Sequence, residues 1–331
     1  MTHFPQIRPQ RLRRTGAIRM QVAETRLHLA DFMYPIFVID GTNIKSEIQS
    51  MPGQFHWSID RLPELLAEIS HAGILSVMLF GVPSVKDKYG TQNYADNGIV
   101  QEAIRCIKKI NPNLIVAADV CLCAYTTDGH CGLFYNNEID NDKTLKILQK
   151  TVTSYANSGV DIVAPSGMID GMVQKIRYAL DQNDFTKVAI MSYAVKYASS
   201  FYGPFREAST TELTGDRKSY QMDYRNKQEA RKEAFIDEKE GADFLMVKPA
   251  MNYLDIIQDI HQHTTLPVVA YQVSGEYAMI KAAAEKGWVN EMEAAIESLT
   301  AIKRAGAKII ITYYALMMKN WLIAVDNMPI N

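Results

Sequence analysis

The 331-residue sequence predicts an α/β fold, a (β/α)8 barrel of the TIM type with an N-terminal arm. Three observations carry the prediction. A small or polar residue plus Gly recurs shortly before an apolar run. The apolar runs lack polar alternation, as strands buried on both faces of a parallel sheet do. Eight such runs follow one another, and most are separated by a stretch of helical character.

The capped copies are Ala72-Gly73 before Val77, Ser158-Gly159 before Ile162, Glu240-Gly241 before Phe244, and Ala305-Gly306 before Ile309. Glycine ends a helix there by taking the left-handed conformation. Four further runs, at 34–38, 114–118, 188–191 and 266–270, fill the gaps. Helical stretches are expected at 59–71, 100–110, 142–157, 169–180, 227–239, 253–263, 277–286 and 291–304. An open doubly wound sheet is the alternative, disfavoured because no G-x-G-x-x-G follows a strand. Residues 1–30 precede the first strand as an arm, and 31–331 form one catalytic domain. Residues 197–226 follow the fifth strand without a clear helical period. A loop that long at a barrel mouth reads as a lid.

Composition excludes some classes of function. Net charge is −2, so no whole-chain field recruits nucleic acid or a membrane. Arg8, Arg11, Arg13, Arg14 and Arg19 crowd the start with no apolar core before Leu27, which argues against a signal peptide; Arg-rich arms are common on cytoplasmic oligomers, and that reading is preferred to a basic organelle-targeting segment. The longest apolar stretch, 309–318, is interrupted by Thr312, Tyr313 and Tyr314. It falls short of the ~20 residues that span a bilayer.

A barrel carries its site at the C-terminal ends of its strands. Reactive residues fall there: Asp119 after strand three, Ser166 after strand four, Ser192, Tyr193 and Lys196 after strand five, Lys248 after strand six, Tyr271, Gln272 and Ser274 after strand seven, and Thr312 and Tyr313 after strand eight. A lysine ending a strand is often a solvated terminus. Two on adjacent strands shift the reading to catalysis: amines that share a dry cavity lower each other's pKa and become nucleophiles toward ketones. Two of them suggest two carbonyl substrates. Cys121, Cys123 and Cys131 have zinc-ligand chemistry without a fourth cysteine nearby, which leaves a position open for water or substrate. His130 as a fourth ligand, or three unligated thiols, are the competing readings. Cys106 reads as core. Arg206 and Arg217, in the lid, suit a substrate carboxylate. Tyr202, Phe205 and Tyr220 read as lid packing. Glu233, within a run that includes Glu229, Arg231 and Lys232, reads from spacing alone as a solvated helix charge.

At these residues the chain resembles the porphobilinogen synthase (5-aminolevulinate dehydratase) family. The likeness rests on Asp119-Val-Cys-Leu-Cys-Ala-Tyr125, Gly129-His-Cys-Gly132, Met191-Ser-Tyr-Ala-Val-Lys196, Tyr197-Ala-Ser-Ser-Phe-Tyr-Gly-Pro-Phe-Arg206, Gly215-Asp-Arg-Lys-Ser-Tyr-Gln-Met222, Met246-Val-Lys-Pro-Ala250 and Ala270-Tyr-Gln-Val-Ser-Gly-Glu-Tyr277. It implies the asymmetric condensation of two 5-aminolevulinates to porphobilinogen with loss of two waters. Lys248 then matches the Schiff-base lysine of the first-bound substrate and Lys196 that of the second. Ser274 and Tyr313 match the groups on the first carboxylate; Arg206, Arg217 and Gln221 match those on the second. Cys121, Cys123 and Cys131 match zinc ligands, Asp119 a proton-transfer partner, and Glu233 an allosteric magnesium position. The resemblance also implies a homo-octamer held by its arms. The chain departs from common family patterns at Gly167, Met172 and Asp128. A Schiff-base aldolase, with Ser274-Gly275 as its phosphate loop, and a zinc-dependent scaffold remain as alternatives.

Overall fold

All four predicted glycine caps lie in the left-handed region: φ is +72° at Gly73, +96° at Gly159, +102° at Gly241 and +120° at Gly306. The turn that each cap makes returns the chain to a barrel of eight parallel strands. In the computed structural model, which describes residues 6–326 apart from residue 137, these are β1 (Phe32–Ile39), β2 (Ser76–Val82), β3 (Ile115–Val120), β4 (Ile162–Pro165), β5 (Ala189–Lys196), β6 (Phe244–Lys248), β7 (Val268–Tyr271) and β8 (Ile309–Ile311). Each pairs with the next, and β8 pairs with β1 through Phe32↔Ile310 and Met33↔Ile311. That pairing closes the sheet, so the barrel has no free edge.

The helices follow the expected order: α1 (Leu62–Ala72), α2 (Ile99–Ile110), α3 (Asn141–Asn157), α4 (Met172–Gln182), α5 (Gln228–Glu240), α6 (Leu254–His263), α7 (Ser274–Glu285) and α8 (Glu291–Arg304). Both α7 and α8 lie between β7 and β8, and a helix at Met318–Asp326, not foreseen in the sequence, follows the last strand. Three starts differ from expectation, and one of them is early: the seventh helix begins at Ser274 and not at 277. The first helix opens as a 3-10 turn at Ile59–Arg61 before α1. The fourth begins at Met172, because Met168 (φ +53°) and Gly171 (φ +74°) hold the preceding exit loop out of helical geometry. The lid also differs: 3-10 residues Ser200–Tyr202 run into a short helix, Gly203–Ala208, with Pro204 in its first turn.

One irregularity sets the site. Leu245 pairs with Ser192, yet Val247 pairs with Val195. Tyr193 and Ala194 therefore stand opposite Met246 alone, which is a β-bulge. Ser192 points outward and donates to the Asp237 carboxylate on α5. Tyr193 turns toward the lysines. Strict alternation from Tyr193 would send Lys196 outward, to the α5 side. The extra residue reverses that, and Lys196 becomes the register partner of Lys248. Ser192 and Tyr193 thus belong to the strand body, not to its exit as the sequence suggested.

The arm forms a 3-10 turn at Pro9–Leu12 and a helix at Gly16–Gln21, neither with a buried residue. Ile7, Leu12, Met20 and Val22 are exposed apolar side chains on it. Among the described residues no helix is long and apolar enough to cross a membrane.

The glycine caps make a paired prediction. A Cβ at Gly306 would stand 2.5 Å from the His261 ring, whereas at Gly159 the nearest atom is 3.9 Å away. Gly159→Ala should cost only its backbone strain, about 1–2 kcal/mol. Gly306→Ala should cost a further ~1–3 kcal/mol of overpacking. Urea unfolding of the two variants measures the difference; equal midpoints would contradict the packing reading.

Candidate active site

Lys248 ends β6 and Lys196 ends β5, so paired backbones carry both amines to one level of the barrel mouth. Each lysine is 5% exposed. Both approach the Tyr193 ring, the Lys248 nitrogen at 5.1 Å and that of Lys196 at 5.5 Å. Three more rings surround Lys248: Tyr271 at 4.3 Å, Phe205 at 5.0 Å and Tyr202 at 5.3 Å. Ring faces favour a cation. Burial acts the other way, and with the charge of Lys196 it brings the Lys248 pKa down to about 7, against the opposing pull of Asp119 and the thiols. Lys196 donates to the Ser166 carbonyl at 2.5 Å.

Asp119, near the end of β3, faces the same cavity. Burial pushes its carboxyl up to about 6, while Lys196, the Ser166 hydroxyl and Lys248 draw it down. Its Oδ1 is sealed from solvent with no hydrogen-bond partner.

The thiols of Cys121, Cys123 and Cys131 are buried and lie within 4.8 Å of one another. Hydrogen bonds from Cys121 and Cys123 hold Cys131 well below the ordinary thiol range, and Arg217 and Lys196 also favour its thiolate. Hydrogen bonds with Cys123 and Cys131, then burial, raise Cys121. Three buried thiols within reach of one another, one of them favoured as thiolate, suit a soft metal cation. His130 is not part of it. Its Nδ1 meets the Tyr220 hydroxyl at 3.0 Å, its Nε2 meets the Thr214 carbonyl at 2.8 Å, and its ring stacks on Phe134. Cys106 lies apart, on α2, partly buried against the core. The departures at Asp128, Gly167 and Met172 are local: Asp128 accepts from the His130 amide, a Cβ at Gly167 would crowd Ile169, and Met172 is buried at the start of α4.

The lid closes this constellation. Phe80, Asp119, Cys121, Cys123, Ser166, Lys196, Tyr202, Phe205, Arg206, Arg217 and Lys248 enclose a cavity of about 20 Å³. That is space for one water. Above it lies an 850 Å³ cleft, and Arg206 and Arg217 border both spaces. Arg217 donates to the Gly129 carbonyl at 2.9 Å, while its Nε and the Gln221 Nε2 are buried donors without partners. Such orphaned donors fit a carboxylate guest. Gln221 borders the outer cleft and not the inner cavity.

Ser274 and Tyr313 are engaged by the protein. The Ser274 hydroxyl accepts from the Phe205 amide at 2.9 Å and donates to the Phe201 carbonyl at 3.4 Å. The Tyr313 hydroxyl pairs with that of Tyr271 at 3.1 Å. Ser274 fastens the closed lid, Tyr313 is held by a β7 tyrosine, and each must exchange partners if it receives a substrate. A Cβ at Gly275 would stand 2.5 Å from the Phe201 carbonyl oxygen, so the phosphate loop that an aldolase needs is filled by lid backbone.

Glu233 is elsewhere, on α5, bordering a cleft with Glu138, Asp170, Asp223 and Glu229. Burial first, then Asp170 and Glu229, raise its carboxyl. It is half-buried among acids and not the solvated charge that spacing suggested. The residues whose roles the sequence conceals are aromatic. Tyr202 and Phe205 read as lid packing in sequence but wall Lys248, and Tyr220 packs on the thiols. Tyr193 and Tyr271 are legible as strand-end residues, though not as walls.

The family model described as delta-aminolevulinic acid dehydratase matches residues 6–321. A delta-aminolevulinic acid dehydratase of Bacillus subtilis (strain 168) is 54% identical over 316 residues, 95% of this chain and 98% of that protein. One from Synechocystis is 49% identical over 324 residues, 96% of this chain and 99% of that protein. A crystal structure of delta-aminolevulinic acid dehydratase (porphobilinogen synthase) from Toxoplasma gondii ME49, in complex with the reaction product porphobilinogen, is 40% identical with a TM-score of 0.95, covering 98% of this chain and 95% of that one.

The lowered pKa of Lys248 has a measurable sign. Its amine is neutral above about pH 7, against 10.5 for an unperturbed lysine. Reductive alkylation of Lys248 by a small ketone, followed by peptide mass spectrometry, should rise with pH and level off with a midpoint near 7. A rate still climbing at pH 10 would show an ordinary solvated amine.

Proposed function

We infer how the reaction is carried from one premise: the chain belongs to the delta-aminolevulinic acid dehydratase family of hydro-lyases. It condenses two 5-aminolevulinate molecules to porphobilinogen, an early common step of tetrapyrrole synthesis. The observation that supports the residue assignment is the register pairing of Lys196 with Lys248 in one desolvated cavity.

The neutral Lys248 amine attacks the ketone of the first substrate; the carbinolamine loses water and leaves an iminium cation. The four rings around the nitrogen then face the positive charge of the iminium, which they stabilise. Lys196 holds the second ketone as a second iminium, with loss of a second water. One iminium serves as electrophile, while the other loses an α-proton and becomes an enamine nucleophile. Asp119, with an unpartnered oxygen and a pKa of about 6, takes and returns protons beside them. Holding both ketones in one cavity removes the entropy cost of a bimolecular encounter. Different carboxylate clamps orient two identical molecules differently: Ser274 and Tyr313 hold the first, and Arg206, Arg217 and Gln221 hold the second. Admission requires the lid to open, since the closed cavity is about 20 Å³.

Cys121, Cys123 and Cys131 hold zinc in this reading, and the buried thiol cluster with its favoured thiolate fits that ion. Zinc, when bound, supplies a Lewis acid toward the carbonyl oxygen or the amine of the second substrate. Glu233 is assigned to an allosteric magnesium ion, whose charge would relieve the crowding by Asp170 and Glu229. The protein is placed in the cytoplasm as a homo-octamer. The exposed apolar side chains of the arm support assembly through it, and native mass spectrometry of a chain cut after residue 28 tests that: an unchanged octamer would refute it.

Borohydride added with 5-aminolevulinate should leave a reduced adduct on Lys248, and Lys248→Ala should lose essentially all activity. Absence of that adduct during turnover would sink the assignment. Chelation that removes all zinc should abolish activity and a Cys131→Ser variant should bind less than one zinc per chain; full activity of the metal-free enzyme would refute the zinc role. Glu233→Ala should flatten the activation curve with magnesium, and an unaltered curve would reject that site.

A further inference from the structure

Glu276 lines neither the cavity nor the clefts of the active site. It is fully buried, at 0% exposure, in the first turn of α7. Its Oε2 accepts from the Val273 amide at 2.8 Å and, more weakly, from the Ala250 amide at 3.5 Å. Its Oε1 accepts from the Met251 amide at 2.7 Å. Val273 immediately precedes Ser274. Ala250 and Met251 follow Lys248 and Pro249. One carboxylate therefore fastens the exit of β6 to the exit of β7.

We propose that Glu276 is a positioning residue for the condensation: its two oxygens hold the Lys248 strand end and the Ser274 turn in one rigid frame, fixing the imine-forming amine relative to the group that receives the first substrate's carboxylate. The inference rests on the proposed roles of Lys248 and Ser274. Its chemistry is specific to a carboxylate. Every partner is an N–H donor, so both oxygens must accept. An amide in its place would turn an NH2 group against those donors. Burial raises the Glu276 carboxyl to about 7, in spite of its backbone hydrogen bonds. A cap that served only helix stability would be met more simply by a partly exposed Ser or Asp.

The frame extends to the lid. The Phe201 backbone packs against Gly275, and the Phe205 amide donates to Ser274. Phe205 is itself a wall of the Lys248 cage. A shift of the Ser274 turn would thus move a substrate group and a wall of the amine together.

The experiment compares the full-length wild-type enzyme with Glu276→Gln and Glu276→Asp. Steady-state kinetics, the rate of borohydride trapping at Lys248 and thermal unfolding are measured on each. Misplacement of the amine should lower kcat and the trapping rate by roughly ten- to a hundredfold. Misplacement of Ser274 should raise the KM for 5-aminolevulinate. The Asp variant, with the charge kept but one methylene short, should show the same split, and it carries the test if the Gln variant does not fold. Variants that melt lower while kcat, KM and the trapping rate per folded molecule match wild type would overturn the proposal and leave a helix cap. Failure to label Lys248 in the wild-type enzyme would instead refute the Lys248 reading, so the two failures are distinct.

Discussion

Two lysines can share a dry cavity only if both strands deliver them to the same level and the same side. Here that depends on one residue. The bulge at Tyr193 and Ala194 breaks the alternation of β5 and turns Lys196 inward, opposite Lys248. In a regular strand Lys196 would face α5, where Ser192 meets Asp237. Its charge would then no longer bear on Lys248, and one of the two influences that bring Lys248 toward neutrality would be lost. Bulges next to active sites commonly re-aim a side chain in this way.

Burial is the stronger of the two influences, and lid rings contribute to it. Tyr202 and Phe205 reach Lys248 from the short helix region after β5, and Ser274 pins the Phe205 amide. The same segment brings Arg206 and Arg217 to the boundary between the inner cavity and the outer cleft. Closure therefore couples two events: water leaves the amines, and guanidinium groups arrive where substrate charge must be met. Excluding water strengthens each electrostatic contact inside. Arg217 also contacts the thiol loop through the Gly129 carbonyl and favours the Cys131 thiolate. Lid, thiols and amines thus form one electrostatic unit.

The barrel is legible in the sequence because its signals are local. Apolar runs without alternation and glycine caps act over a few residues, and each cap takes its left-handed conformation. Lys248, Lys196, Asp119 and the cysteines are legible as polar residues at the ends of such runs. What escapes depends on contacts between distant segments. The bulge is a relation between two strands. The cage draws rings from β5, β7 and the lid. Ser274 reads as a reactive strand-end residue in sequence, yet its partners are lid backbone. Glu233 reads as solvated until Asp170, from the exit loop before α4, is placed beside it. The lid helix escapes because six residues are too few to show a period.

Both amines must open on one cavity for any of this chemistry to follow. Because each nitrogen lies within 5.5 Å of the same Tyr193 ring, a short diketone can reach both. Incubation with such a diketone, reduction with borohydride and peptide mapping should yield Lys196 and Lys248 peptides joined through the reagent. Separate single adducts on the two lysines, with no joined peptide at any reagent length, would contradict a shared site.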